Sequence, residues 1–200
     1  SPLLILGNEK QKLKLLFNSF VRDHVINNKN INVLCLDFHP LNMDNVSSSL
    51  LKKDKIYKYS NNEKNFFEYL IEINKKSLNS KKINLLLILG LDESLSFKEN
   101  ITDDIGSQTD NKTKENLLKI IRERLSLNII PIVFLRKLSN FSSVFDSLIY
   151  ENSISSDVFS RRIYMDTSQE FNYDYGNLSK YKVFYHDLEK STQQILTIFE

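Results

Sequence analysis

Four stretches of this chain are almost unbrokenly aliphatic: Leu3–Leu6, Ile31–Asp37, Ile83–Leu89 and Ile129–Leu135. A strand with one wet face alternates apolar and polar residues, whereas an unbroken run marks a strand covered on both faces. Between these runs the spacing becomes helical. Leu13, Leu16, Phe17, Phe20, Val21 and Val25 follow the first run, and Leu117, Leu118, Ile121 and Leu125 precede the fourth. Ser60-Asn61-Asn62-Glu63 reads as a capping box opening a helix with Phe66, Phe67, Leu70, Ile71 and Leu78 on its apolar side. Shorter strands are expected at Ile56–Tyr59, Arg161–Met165 and Lys182–Tyr185, and a helix at Phe141–Tyr150. The tail, Leu188–Phe199, fits a helix or a late strand, and the polar segment Ser94–Asn111 reads as a surface loop. Strand–helix alternation of this kind predicts an α/β fold with a mostly parallel sheet and helices on both faces.

No internal repeat or linker divides residues 1–200, which fit a single domain. Hydrophobic residues make up 41% and charged residues 26%, a globular balance. The net charge of +2 carries no basic excess of the kind that duplex DNA binding demands, so no specific nucleic-acid partner is expected. A lone cysteine, Cys35, excludes a disulfide framework and points to a reducing setting. No apolar run reaches the roughly 18–20 residues of a membrane span, and no signal peptide is evident. The chain opens Ser1-Pro2 and enters a strand at once, which suggests a fragment of a longer polypeptide.

The turn after the first run is where a phosphate-binding loop, G-x-x-x-x-G-K-[ST], would lie. Gly7 fits its first position, but Lys12 stands at the second glycine, Leu13 at the lysine and Lys14 at the hydroxyl. The second glycine lets the backbone wrap the phosphates, the lysine offsets their charge and the hydroxyl ligates Mg²⁺. Lys10, Lys12 and Lys14 keep the turn basic, so Gly7 and these lysines define at best a weak anion site; read plainly, they form an ordinary turn with solvated lysines.

The strongest run ends Leu89-Gly90-Leu91-Asp92-Glu93. An apolar strand ending in Asp-Glu resembles a Walker B motif, in which the Asp holds Mg²⁺ and the Glu polarises water. In a tight register Gly90 and Leu91 occupy the acidic positions and the site is dead; in a looser one Asp92 and Glu93 do. A solvated strand exit is an equally good reading. Arg136 and Lys137 follow the fifth strand, and Arg161 and Arg162 open a later one; Arg136, Arg161 and Arg162 are candidate sensor or finger arginines, or else surface ion-pair partners. His24, His39 and His186 show no metal-ligand spacing, and no metal site is expected.

Taken in order, these segments resemble the FtsK/SpoIIIE-type ATPase family. The likeness rests on Leu3-Leu4-Ile5-Leu6-Gly7, Val33-Leu34-Cys35-Leu36-Asp37-Phe38-His39-Pro40, Leu85–Glu93, Asn128–Leu135 and Ser155–Ile163. With its degenerate loop and Lys/Asn-rich composition, the chain is most similar to the last ATPase domain of the membrane-anchored motors of type VII protein secretion, those of staphylococci in particular. The resemblance implies a RecA/FtsK-like P-loop three-layer sandwich on the cytoplasmic side of the membrane. It implies partnership with secreted proteins of the WXG100 type, with a neighbouring ATPase domain of the same chain and with further copies of the parent protein. ATP and Mg²⁺ would belong to the parent's other domains, with no cofactor held here. Departures at Lys12, Leu13 and Lys14 leave two rival expectations beside a degenerate substrate-handling domain: a weakly active ATPase completed by its neighbours, and a domain of a DNA-translocating motor.

Overall fold

The computed structural model describes residues 1–20, 31–37, 57–60, 83–93, 108–147, 150–166 and 181–198. Eight strands form one sheet: β1 (Leu3–Leu6), β2 (Ile31–Asp37), β3 (Tyr57–Ser60), β4 (Ile83–Leu89), β5 (Ile129–Leu135), β6 (Arg161–Tyr164), β7 (Lys182–Asp187) and β8 (Thr192–Thr197). Their order is β3-β2-β4-β5-β1-β6-β7-β8. From β3 to β6 every pairing is parallel; β7 and β8 join antiparallel. The mostly parallel α/β architecture expected from the aliphatic runs is therefore the one observed, and β1, β2, β4 and β5 coincide with those runs.

Period-two geometry sends alternate residues of each run to opposite faces. Leu4, Leu34, Leu86 and Val133 enter one core with Leu117, Leu118 and Ile121 of α2 (Gln108–Arg122) and with Phe141, Val144 and Phe145 of α3 (Phe141–Phe145). Ile5, Val33, Cys35, Leu87 and Phe134 enter the other with Leu13 and Phe17 of α1 (Lys10–Phe20). Helices thus cover both faces. Phe141 and Phe145 stack at 4.3 Å between centroids, and Phe159 meets them edge-on and tilted at 5.8 and 5.5 Å, seating the segment before β6 against α3.

Several expectations are corrected. The helix expected over Phe141–Tyr150 stops at Phe145, with Asp146 already extended. Of the two readings left open for the tail, the late strand is the one observed, as β8. The loop reading of Ser94–Asn111 gives way at Gln108, where α2 begins. The capping-box helix at Ser60–Leu78, the continuation of α1 through Val21 and Val25, and His24 and His39 lie outside the described residues. Among the described residues no helix is long and apolar enough to cross a membrane.

One polar rung interrupts the aliphatic centre. Asn32 of β2 lies opposite Asn84 of β4, both buried, and the Asn32 amide donates to Asn84 Oδ1 at 2.9 Å. Parallel strands of uniform aliphatics could slip past one another, and a buried amide pair penalises any register that separates it. Asn84 Nδ2 itself finds no acceptor. Replacing both by Leu should therefore cost less than replacing one. Asn32→Leu alone is expected to lower the unfolding free energy by about 1–3 kcal/mol, and Asn32→Leu/Asn84→Leu to recover most of it. Urea denaturation of the three proteins checks this; additive losses would contradict it.

Candidate functional site

The carboxyl ends of β1, β4, β5 and β6 meet along one edge of the sheet, where open parallel folds bind ligands. Ladder bonds continue past the strands: Gly7 N–H donates to Leu135 O at 3.2 Å, Gly90 N–H to Phe134 O at 3.2 Å, and Met165 N–H to Leu6 O at 2.8 Å. Both proposed motifs therefore sit on this edge, separated by β5.

Gly7 has φ +137°, and a Cβ there would lie 2.9 Å from Met165 Cβ and 3.0 Å from Asp166 Oδ1. Backbone conformation and the close approach of the β6 exit both demand glycine, without reference to a phosphate. Only Asn8 and Glu9 separate Gly7 from the first residue of α1, Lys10. A turn this tight is shorter than the loop the motif requires.

The next rung between β1 and β6 would send Asn8 N–H to Met165 O. Instead Asn8 N–H donates to the Asp166 carboxylate at 3.2 Å, and Met165 O accepts from Lys12 Nζ at 2.6 Å. Lys12 is 1% exposed, and Glu9 Oε1 stands 3.3 Å from its ammonium. The lysine that sequence places at the second glycine is thus a buried cross-tie between α1 and the β6 exit. Leu13, at the lysine position, is packed in the core with Ile5, Phe17 and Met165. Lys10 and Lys14 are both residues of α1. A backbone N–H that an incoming anion would use already serves the Asp166 carboxylate, and the Lys12 ammonium already serves Glu9 and the Met165 carbonyl.

Across β5, the β4 strand ends at Leu89, Gly90 turns the chain at φ +71°, and Leu91–Glu93 form a single 3-10 turn. This register buries Asp92, which is 3% exposed. Its Oδ2 accepts from Arg136 N–H at 3.2 Å, Arg136 Nε at 3.2 Å and Asn140 Nδ2 at 2.6 Å, while Oδ1 has no hydrogen-bond partner. Arg136 Nε also lies 3.6 Å from Glu93 Oε1. The acid pair and the sensor-position arginine that sequence proposed separately are here one cluster. A nucleotide-bound Mg²⁺ does not fit these residues. The hydroxyl ligand is lacking at Lys14, and the Asp92 carboxylate already carries a guanidinium. No group of three or more His, Cys, Asp or Glu side chains gathers among the described residues.

Arg162 is buried, whereas Arg161 stays partly exposed. Arg161 Nε lies 3.6 Å from Asp187 Oδ2 on the neighbouring strand, and Arg162 donates to Phe159 O and Ser156 O at 3.3 and 3.2 Å, holding the turn before β6. Sequence reasoning missed Glu9, Asn140 and Asp166. Asp166 follows the apolar Ile163-Tyr164-Met165, the same polar strand exit that singled out Asp92, and Asn140 lies four residues beyond Arg136, at the end of the short 3-10 turn Leu138–Asn140.

No family model matches the sequence, and no curated protein matches it. Among solved structures the chain is similar to the cytoplasmic domain of the Thermomonospora curvata type VII secretion ATPase EccC, at 10% identity and TM-score 0.59, covering 99% of this chain and 24% of that one. It is similar to T. curvata EccC (ATPases 2 and 3) in complex with a signal sequence peptide, at 10% identity and TM-score 0.57 over 99% and 36%. It is also similar to the cytoplasmic domain of EssC, at 11% identity and TM-score 0.63 over 98% and 39%. At such identities the likeness shows the fold, an α/β P-loop NTPase fold, and this chain spans only a quarter to two fifths of those chains.

Two expected outcomes follow from this geometry. Lys12→Met should keep the packed stem but orphan the Met165 carbonyl, lowering stability by about 1–3 kcal/mol; an unchanged urea midpoint would contradict it. His186 lies opposite Arg162 and Gln193 and next to Asp187. Burial, and then the Arg162 charge, push its pKa below the ordinary 6.5, with Asp187 opposing. The unfolded chain therefore takes up the proton first as pH falls. The His186 contribution is complete above about pH 6.5 and is lost as pH falls through the lower folded value. His186→Gln should flatten the stability profile between roughly pH 7 and 5, checked by denaturation across that range.

Proposed function

We propose that this chain is a degenerate ATPase-like domain of a membrane-anchored type VII secretion motor, the last ATPase domain of an EssC-type protein of staphylococcal kind. In this reading it lies on the cytoplasmic side of the membrane. It helps to recognise or pass on secreted substrates of the WXG100 type and to regulate the motor, with little or no ATP hydrolysis of its own. Its neighbours are the preceding ATPase domain of the same chain and further copies of the parent, and ATP and Mg²⁺ act in the other domains.

The observation that carries this reading is the self-closure of the ligand edge. Lys12, Asp166 and Arg136 of the chain itself take the contacts that phosphates and metal would need. A P-loop fold retained without its fuel chemistry offers its surface instead. A candidate surface exists at the opposite, amino-terminal end of the strands. There a cavity of about 420 Å³ is lined by Leu3, Ile31, Ile83, Ile130, Ile163 and Leu196 among others, with Arg161 and Tyr185 also in its wall. Helical signals bind through apolar anchors spaced one turn apart, and such a lining suits them. The signal peptide seated on EccC supports the same kind of partner.

A fluorescent C-terminal peptide of a WXG100-type substrate should bind this chain with weak salt dependence, and Ile83→Glu should weaken it by about tenfold or more. Duplex DNA should not compete at moderate salt. Binding of DNA alone, abolished by salt, would replace this reading with the DNA-motor one. A micromolar calorimetric constant for Mg-ATP would overturn the degenerate assignment in favour of an active ATPase.

A further inference from the structure

The sheet has two edges, and they are built differently. β3, Tyr57–Ser60, is four residues long and carries Lys58, a short charged edge of the kind that resists pairing. β8, Thr192–Thr197, is six residues long, holds no charged residue and no proline, and is exposed at five positions. Just past the ladder, Ile198 N–H donates to Tyr181 O at 2.7 Å, toward β7. Backbone direction alternates along an antiparallel strand, so Gln194 and Leu196 also turn their N–H and C=O to β7, while Ile195 and Thr197 turn theirs to the open edge. The Ile195 side chain sits where an apolar row breaks off. Leu135, Leu6, Tyr164 and Phe184 lie side by side across β5, β1, β6 and β7, all in one buried cluster. Ile195 is the next member of the row, opposite Phe184, and is 45% exposed. Leu196, one residue on, belongs to the other face, where the cavity lies.

We propose that β8 pairs antiparallel with β8 of a second copy of this chain, about a two-fold axis at Ile195. In that register the two Ile195 residues exchange backbone N–H to C=O bonds. Their side chains meet across the axis, so the apolar row runs unbroken from one core into the other. A second copy suits this edge because the strand is self-complementary. Gln193, Gln194, Leu196 and Thr197 beside Ile195 are all neutral, so pairing brings no like charges together. Two-fold pairing also consumes both β8 edges and leaves only the charged β3 edges outside, so assembly stops at two. The inference stands on the sheet edge alone, whichever machine the domain serves.

Sedimentation of the chain should show a monomer–dimer equilibrium that shifts with concentration. Ile195→Lys sets two ammonium groups together at the axis and should weaken the dimer by at least about tenfold, as should Ile195→Glu with two carboxylates. Mixing these two variants should restore association as a heterodimer, which requires residue 195 to face residue 195. Thermal melts show whether each variant is folded. Cys35 is buried, so Ile195→Cys supplies one accessible thiol. The paired Cα atoms would lie about 5.5 Å apart, and a short bis-maleimide should join two Ile195→Cys chains at least about tenfold faster than two Thr192→Cys chains, whose thiols the two-fold axis separates by about 20 Å. If the charge variants fail to fold, the cysteine pair decides alone. A chain that stays monomeric at every concentration, growth beyond a dimer, folded charge variants that dimerise like wild type, mixtures that stay apart, or equal cross-linking at the two cysteines overturns the proposal.

Discussion

Because β1, β2, β4 and β5 are covered on both faces, their peptide groups can be satisfied only by one another, and the whole domain is organised around where that mutual satisfaction stops. At the carboxyl ends of the strands the ladder runs out while the backbone is still close to the core. In a ligand-binding member of such a fold, an anion at the following helix would answer those groups. Here side chains of the same chain do so: the Asp166 carboxylate takes Asn8 N–H, the Lys12 ammonium takes Met165 O, and Asp92 takes Arg136 N–H. The edge is closed by three charged residues contributed from β6, α1 and β4, far apart in sequence but adjacent in the sheet.

Much of this architecture was legible in the residues. The four aliphatic runs are central because no water-facing residue interrupts them, and their limits coincide with β1, β2, β4 and β5. Where burial weakens, legibility weakens with it. β8, Thr192–Thr197, is exposed at almost every position, so no core face imposed a pattern on it, and helix and strand remained equally good readings. α3 looked longer than it is because Phe141, Val144, Phe145 and Leu148 keep helical spacing, whereas the chain leaves the helix at Asp146.

The site was legible in its parts but not in its pairings. Asp92, Glu93 and Arg136 each stood at a strand exit and were singled out for that reason. That they neutralise one another depends on β4 and β5 being neighbours in register, which no local pattern states. Lys12 was read as an obstruction to phosphate. Its actual partner, the carbonyl of Met165, lies 153 residues away and offers no side-chain chemistry to notice. Backbone acceptors are invisible to motif reading, which is why buried lysines that cap carbonyls are easily mistaken for stray surface charges.

The two-residue turn from Gly7 to α1 also bears on which changes this end of the domain can absorb. An exposed side chain on this turn, such as Asn8 or Glu9, can be exchanged without moving the helix behind it. Loop length cannot. Widening this turn would displace α1 along its own axis, withdraw Leu13 and Phe17 from the core beneath it, and part Lys12 from the carbonyl it caps. A change of length in this turn therefore disturbs the core beneath α1 and the tie between α1 and the β6 exit at once.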